Sequence, residues 1–312
     1  MRLLLSEAME RETQQPRRLF SVTGLLLPFE LEVYIIQKEG SMELVDRTLG
    51  QIPMQCSPQL MAAKVPHGFT TRLGGVSGGI WDSLNLGVNR GDDPARVREN
   101  YRRVCGALKV DINQVVLCPQ VHGDVVRTVT TADAGHGLDW RGNWEADALI
   151  TDVPGLTLVG FGADCLTVLL YDPRRRAVGV VHAGWRGTAL GIVERAVERM
   201  GACYGTDPAD LICALGPCIG KCCFETDEDV PNVMTAALGA AALPFITDDG
   251  GGKFHVDLKG LNALRLKNCG VLSTNIDISP DCTLCKPDKY WSHRYTKGQR
   301  GSQASLIALP EK

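Results

Sequence analysis

From residue 66 onward, apolar runs alternate with polar breaks, and each run has the period of a definite element. Leu166-Thr-Val-Leu-Leu-Tyr171 and Ala177-Val-Gly-Val-Val181 are β-rich runs joined by Asp172-Pro173-Arg174-Arg175-Arg176, the pattern of a hairpin. Further strands are expected near 67–72, 115–118, 125–129, 146–151, 156–161, 211–215, 275–278 and 305–309. Asp93 followed by Pro94 starts a helix whose inner face is Val97, Tyr101, Val104, Cys105 and Leu108; Arg96, Arg98, Arg102 and Arg103 lie on its wet side. Thr188 is expected to cap a second helix running to about Tyr204, with Ala189, Val193, Ala196, Val197 and Met200 inward. Two more helices are expected over 226–239 and 257–268.

Strands and helices interleave without strict βαβ alternation, and one connection is a hairpin. The expected architecture is therefore α+β (mixed α/β), a single domain of mixed sheets flanked by helices rather than a doubly wound parallel sheet. The domain is expected over 55–312, with residues 1–50 an N-terminal extension that is either poorly ordered or a mis-assigned start. Within it, 31–36 has strand character. Met42 is the expected true start, because Lys38-Glu39-Gly40-Ser41 can be encoded by a purine-rich, ribosome-binding-like tract.

Composition narrows the function classes. A chain of 312 residues, 44% hydrophobic and 22% charged, has length for a sizeable core. A formal net charge of −3 offers no electrostatic footprint for nucleic acid or an anionic membrane, so neither is expected as a partner. No stretch approaches the ~18 uninterrupted apolar residues of a membrane span. The twelve cysteines are scattered and several lie inside apolar runs, which points to free thiols in a reducing cytoplasm.

Candidate chemistry gathers at strand ends. A turn centred on Pro173 and Arg174 sets Cys165 directly opposite His182 on one face, with Cβ atoms roughly 5 Å apart, a span that zinc bridges. A one-residue slip would send the two side chains to opposite faces. Taken alone, such a Cys is usually a small core residue and such a His a hydrogen-bonded one. Their company changes the reading: Asp164 precedes the Cys, and Gly184-Trp-Arg-Gly187 follows the His and opens onto a helix N-terminus suited to an anionic group. His122, beside Gly123 at another strand end, makes a third ligand. Three His/Cys ligands leave tetrahedral zinc one open position for water, the pattern of a catalytic site. Nucleobase deaminases use such a zinc with a nearby carboxylate as proton shuttle; Asp164 is placed to do that work or, equally, to anchor a ligand or the backbone. The glycine-rich loop from Leu73 to Gly79, with Arg72 before it and Asn85 after it, is either an anion cradle or a plain surface loop. Cys282 and Cys285 read as free thiols or a disulfide; with Cys222 and Cys223 they make the alternative of a closed zinc knuckle in a non-catalytic module.

Several ordered motifs resemble one family. They are His67-Gly-Phe-Thr-Thr-Arg72-Leu-Gly-Gly-Val-Ser77, Ser83-Leu-Asn85-Leu-Gly87, Gln120-Val-His122-Gly123, Ala163-Asp164-Cys165, His182-Ala-Gly-Trp-Arg186-Gly187 and Gly216-Pro-Cys-Ile-Gly-Lys-Cys-Cys223. Cys282-Thr-Leu-Cys285 with Ser292-His293-Arg294 is similar to the ending of its Gram-positive members. The family is the laccase-domain proteins, first called multicopper polyphenol oxidoreductases and now regarded as zinc-containing purine nucleoside phosphorylases. The resemblance spans about residues 66–309 and implies the fold shared with cytotoxic necrotising factor-type toxins. It also implies one zinc per chain on His122, Cys165 and His182, with copper as a possible substitute. The implied substrates are purine nucleosides and phosphate: phosphorolysis of adenosine, inosine and S-methyl-5′-thioadenosine, with adenosine deamination as a second activity. Arg72 matches the family's functional arginine, and its charge and setting suit phosphate. Arg186 is expected to assist it, while Asn85 and Gln120 are expected to contact the nucleoside. Leu166-Thr167 replaces the more usual Val-Pro after the cysteine. The older name suggests a copper-dependent phenol oxidase, but six histidines in all are too few for a multicopper centre.

Overall fold

The apolar runs form strands that are buried on both faces, because the strands build two sheets stacked against each other. A computed structural model describes residues 42–140 and 142–311. The first sheet has the order β1 (Val45–Leu49), β2 (Ile52–Cys56), β3 (His67–Thr70), β15 (Gln303–Ala308), β7 (Thr157–Gly162), β4 (Val115–Leu117). The second has the order β14 (Ile276–Ile278), β10 (Ile212–Leu215), β8 (Leu166–Asp172), β9 (Ala177–Ala183), β6 (Ala148–Thr151), β5 (Val126–Thr128). Both are mixed: β4–β7, β5–β6 and β10–β14 are parallel pairs, and the rest are antiparallel.

Strand β8 shows why its sequence is a continuous apolar run rather than an alternating one. Leu169 and Tyr171 pack between the sheets with Leu158, Val116 and Ile307 of the first. Leu166, Val168 and Leu170 face the other way, onto helix α4 (Ile192–Tyr204) and helix α6 (Leu258–Asn268). After the short helix α1 (Pro58–Ala62), helix α2 (Pro94–Leu108) covers the outer face of the first sheet through Val97, Tyr101, Val104, Cys105 and Leu108. The layers thus run helix, sheet, sheet, helix. A smaller sheet of β11 (Glu225–Thr226), β13 (Lys253–Val256) and β12 (Ile246–Gly250) sits with helix α5 (Asp229–Leu238) over a satellite cluster around Phe224 and Phe245.

Three expectations are corrected. In the β8–β9 hairpin Thr167 faces His182 and Asp172 faces Ala177, so the loop is the four residues from Pro173 to Arg176. Asp172 sets this loop by accepting the N–H groups of Arg174 and Arg175, and Arg176 takes a left-handed φ of 54°. The register is therefore displaced by two residues from the expected one, which preserves the face: Cys165 stays on the side of His182, as its diagonal neighbour. Helix α3 (Trp185–Leu190) begins at Trp185 rather than Thr188, with Gly184 as its N-cap, and Gly191 (φ 79°) separates it from α4. Finally, residues 42–50 belong to the fold: β1 pairs with β2, and Leu44 is buried in the inter-sheet core. The expected strand at 31–36 and the rest of 1–41 lie outside the described residues.

Candidate metal centre and cleft

Two connections that carry the chain from the first sheet to the second meet at one end of the sandwich. The β4–β5 connection carries His122, and the β7–β8 connection carries Cys165; His182 lies near the end of β9, between them. Sharp turns aim the side chains, with left-handed φ angles of 64° at His122 and 86° at Asp164. One ligand atom from each of His122, Cys165 and His182 lies within 4.8 Å of the others. The His122 Nε2 to Cys165 Sγ separation is 3.9 Å, and the two imidazole planes are perpendicular, with centroids 4.8 Å apart. His182 is buried, Cys165 half-buried and His122 exposed, so the cluster is walled on one side and open on the other.

The group that holds this arrangement together is one the sequence reading missed. Asp147, fully buried just before β6, accepts from His182 Nδ1 at 2.8 Å and from the backbone N–H of His122 at 3.0 Å through the same oxygen. Its other oxygen takes the N–H groups of Gly123 (2.7 Å) and Val121 (3.3 Å). Burial opposes ionisation of Asp147, but the His182 and backbone hydrogen bonds outweigh it and hold its pKa below the usual carboxylate value. The carboxylate fixes His182 in the tautomer that leaves Nε2 free for an ion. The available hint was an Asp interrupting the apolar run 146–151.

The donors fit a thiophilic, borderline-soft cation. Although burial pushes the Cys165 thiol up, hydrogen bonds and charge from His122 and His182 bring it down to about 6. Burial likewise opposes charge on His182, but Asp147 and Cys165 raise it to about 9. Each group thereby favours the charged form of the other. Space has been left around it: a Cβ on Gly184 would lie 3.2 Å from Cys165 Sγ, 3.3 Å from His122 Cδ2 and 3.6 Å from His182 Cε1. Only a glycine keeps this cradle clear.

A cleft of about 720 Å³ opens on His122. Arg90, Gln120, Trp144, Glu145, Phe161 and Ser302 are among the residues that line it. Gln120 reaches the cleft, but its amide is pinned, with Nε2 donating to the Phe161 carbonyl and Oε1 accepting the Phe161 N–H. Beside Ser302, Arg300 is buried (8% exposed) and donates through Nη1 to Ser302 Oγ and the Gly301 carbonyl, while its Nε has no partner among the described residues. Burial, then repulsion from Arg90, lowers the Arg300 pKa to about 10, against the opposing pull of Asp164 and Cys165.

Other expected site residues have structural partners. Asp164 directs both oxygens away from a shuttle role: Oδ1 accepts Thr283 Oγ1 at 2.6 Å, and Oδ2 accepts Ser292 Oγ and the Arg294 N–H at 3.0 and 2.8 Å. Of its two expected roles, the geometry favours the anchor. Asn85 is fully buried; its amide donates to Asp92 and its oxygen accepts the Gly87 and Ser302 N–H groups. The glycine-rich loop closes on itself, since the N–H groups of Leu73, Gly75, Val76 and Ser77 bond Thr71, Ser83, Asn100 and Ser83 respectively. These four amides are therefore not available to an anion. Arg72 directs Nε and Nη2 to the Asp82 carbonyl and Nη1 to Pro287, and stacks 4.1 Å over Trp291. Arg186 is exposed and lies over the Trp185 ring. No described helix is long and apolar enough to cross a membrane.

The family described as multi-copper polyphenol oxidoreductase laccase matches residues 66–310. The chain is 35% identical to purine nucleoside phosphorylase YlmD of Geobacillus stearothermophilus over 83% of this chain and 94% of that one. It is 37% identical to a purine nucleoside phosphorylase of Deinococcus radiodurans, over 84% and 94% of the two chains. The crystal structure of the hypothetical protein YfiH of Bacillus licheniformis superposes with a TM-score of 0.80 at 33% identity, covering 85% of this chain and 98% of that one. With the mixed double sheet shared and the match running from the first strand of the motif region to the last, this chain belongs to the laccase-like multi-copper polyphenol oxidoreductase family.

Proposed function

We propose that this protein is a zinc-dependent purine nucleoside phosphorylase, cleaving adenosine, inosine and S-methyl-5′-thioadenosine with phosphate, and deaminating adenosine as a second activity. The observation that carries the reading is the convergence of His122, Cys165 and His182 beside a cleft that opens on His122 and has room for a nucleoside, with Asp147 bracing two of the three. The relatives' names supply the reaction class. His122, Cys165 and His182 would hold the zinc, which when bound would supply Lewis-acid chemistry at neutral pH.

The chain's own residues divide the remaining work. In phosphorolysis a phosphate oxygen bonds to C1′ of the ribose as the C1′–N9 bond breaks, its electron pair leaving with a purine that must be protonated. Arg90 in the cleft lining and Arg300 behind Ser302 supply the positive charge that suits a phosphate dianion. Arg72 adds positive charge while holding the Asp82 and Pro287 carbonyls. Trp144 and Phe161 offer apolar surface for the base, and Glu145 is the carboxyl group lining the same cleft. Twelve free cysteines suit a reducing compartment, the cytoplasm.

The copper-oxidase reading lacks ligands. Two of the six histidines serve the centre; His67 is held by the Ser57 N–H and the Val65 carbonyl, and His255 pairs with Asp249. The decisive assay gives adenosine to protein of measured metal content, with and without phosphate. Adenine and ribose 1-phosphate formed only with phosphate support phosphorolysis, and inosine supports deamination. Absence of both overturns the proposal.

A further inference from the structure

Four cysteines that the centre above does not use are gathered at a second point. Cys222 and Cys223 follow Gly220 in the turn after β10, while Cys282 and Cys285 lie in the loop after β14, some 60 residues further along the chain. The four Sγ atoms lie within 4.8 Å of one another, with Cys285 Sγ at 3.6 Å from Cys222 and 3.3 Å from Cys223. A disulfide needs about 2.05 Å, and all four cysteines are free. Thiolates at the corners of a tetrahedron with zinc bonds of about 2.3 Å lie about 3.8 Å apart. The observed separations match the second geometry.

We infer that Cys222, Cys223, Cys282 and Cys285 form a closed, four-thiolate zinc site, distinct from the His122–Cys165–His182 centre and structural in purpose.

The backbone is arranged for it. The Gly220 N–H donates to Cys282 Sγ at 3.2 Å, and a Cβ on Gly220 would press on Cys282 Cβ at 3.1 Å and on Cys222 Sγ at 3.2 Å. The two loops are already aligned by a bridge between Cys218 and Cys282, with the Thr283 N–H on the Cys218 carbonyl. Backbone N–H groups of Gly220, Leu284 and Cys285 are directed at the Cys282 sulfur, the usual support of a metal-bound thiolate. Four thiolates with zinc carry a charge of −2. Arg294 lies beside this charge, its Nη1 on the carbonyls of Cys223 and Glu225. Four sulfur donors and no oxygen ligand suit zinc among the divalent cations, and the iron alternative is an outcome of the test below. Cys222 and Cys285 are exposed, which gives the ion a way in. Thr283, between two of the ligands, donates to Asp164, the residue before Cys165. The second ion would thereby pin the loop that aims a ligand of the first.

Metal counting on protein purified without chelator tests this, together with cobalt replacement, whose thiolate charge-transfer absorbance grows with the number of sulfur ligands. Two zinc ions per chain are expected for the native protein. Cys285→Ser and Cys222→Ser, both at exposed positions, are each expected to hold one, and to lose the four-sulfur cobalt spectrum. Cys165→Ala is expected to hold one and keep that spectrum. A single ion in the native protein that Cys165→Ala removes would overturn the inference, as would iron in place of zinc or a disulfide among the four in fresh protein. Should Cys165→Ala leave the metal content unchanged while Cys285→Ser lowers it, the second site stands and the first falls.

Discussion

Asp147 Oδ1 stands 2.8 Å from His182 Nδ1 while also accepting the His122 backbone N–H, so one buried oxygen sets the orientation of two ligands carried by different connections. Replacing it with the amide of Asp147→Asn removes the charge that selects the His182 tautomer and sets an NH₂ group against backbone donors. Zinc affinity is expected to fall about 10–100-fold, measured by competition with a chromogenic chelator, with turnover falling in step at limiting metal. Unchanged affinity would remove Asp147 from the site.

Gly184→Ala isolates the cradle from the fold. Backbone angles of −64° and 171° at Gly184 are open to alanine, so stability is expected to drop by no more than about 1 kcal/mol. The new methyl, 3.2 Å from Cys165 Sγ, is nevertheless expected to cut metal affinity at least about tenfold. Thermal melts and metal counts on the same sample separate the two effects.

The metal-free protein has a pH signature. With the Cys165 thiol brought down to about 6, its alkylation by iodoacetamide is expected to switch on as pH rises through about 6, not near the ordinary value of 9.0. Peptide mapping follows this one cysteine among the twelve. Zinc is expected to protect it, and His182→Ala, which removes the cationic neighbour, to move the midpoint upward.

Arg300→Lys keeps a positive charge but loses the Nε donor. The expected result is a KM for phosphate raised about tenfold or more, with the KM for nucleoside little changed. An equal rise in both constants would point to a collapsed cleft rather than a lost anion contact.

Much of this protein was legible in the residues, for a physical reason. Strand β8 and helix α2 reveal themselves because hydrophobic period reports which face a side chain takes, and that depends only on near neighbours. The same parity argument placed Cys165 on the side of His182, and it survived a register displaced by two residues because two is the side-chain period of a strand. Asp93 and Pro94 start α2 through their own backbone preferences.

Tertiary structure decided what depends on distant partners. Whether Asp164 shuttles protons or anchors a loop is set by Thr283 and Ser292, more than a hundred residues away in the chain. Asn85 looked available, but folding surrounded it with Asp92 and the Gly87 and Ser302 amides. Asp147 showed only as an acidic break in an apolar run, and the four cysteines only as one alternative beside free thiols or a disulfide: their arrangement depends on connections between sheets, or loops some 60 residues apart, arriving at the same point. Periodicity names a face, whereas a polar group's role follows from the donors and acceptors that packing brings to it.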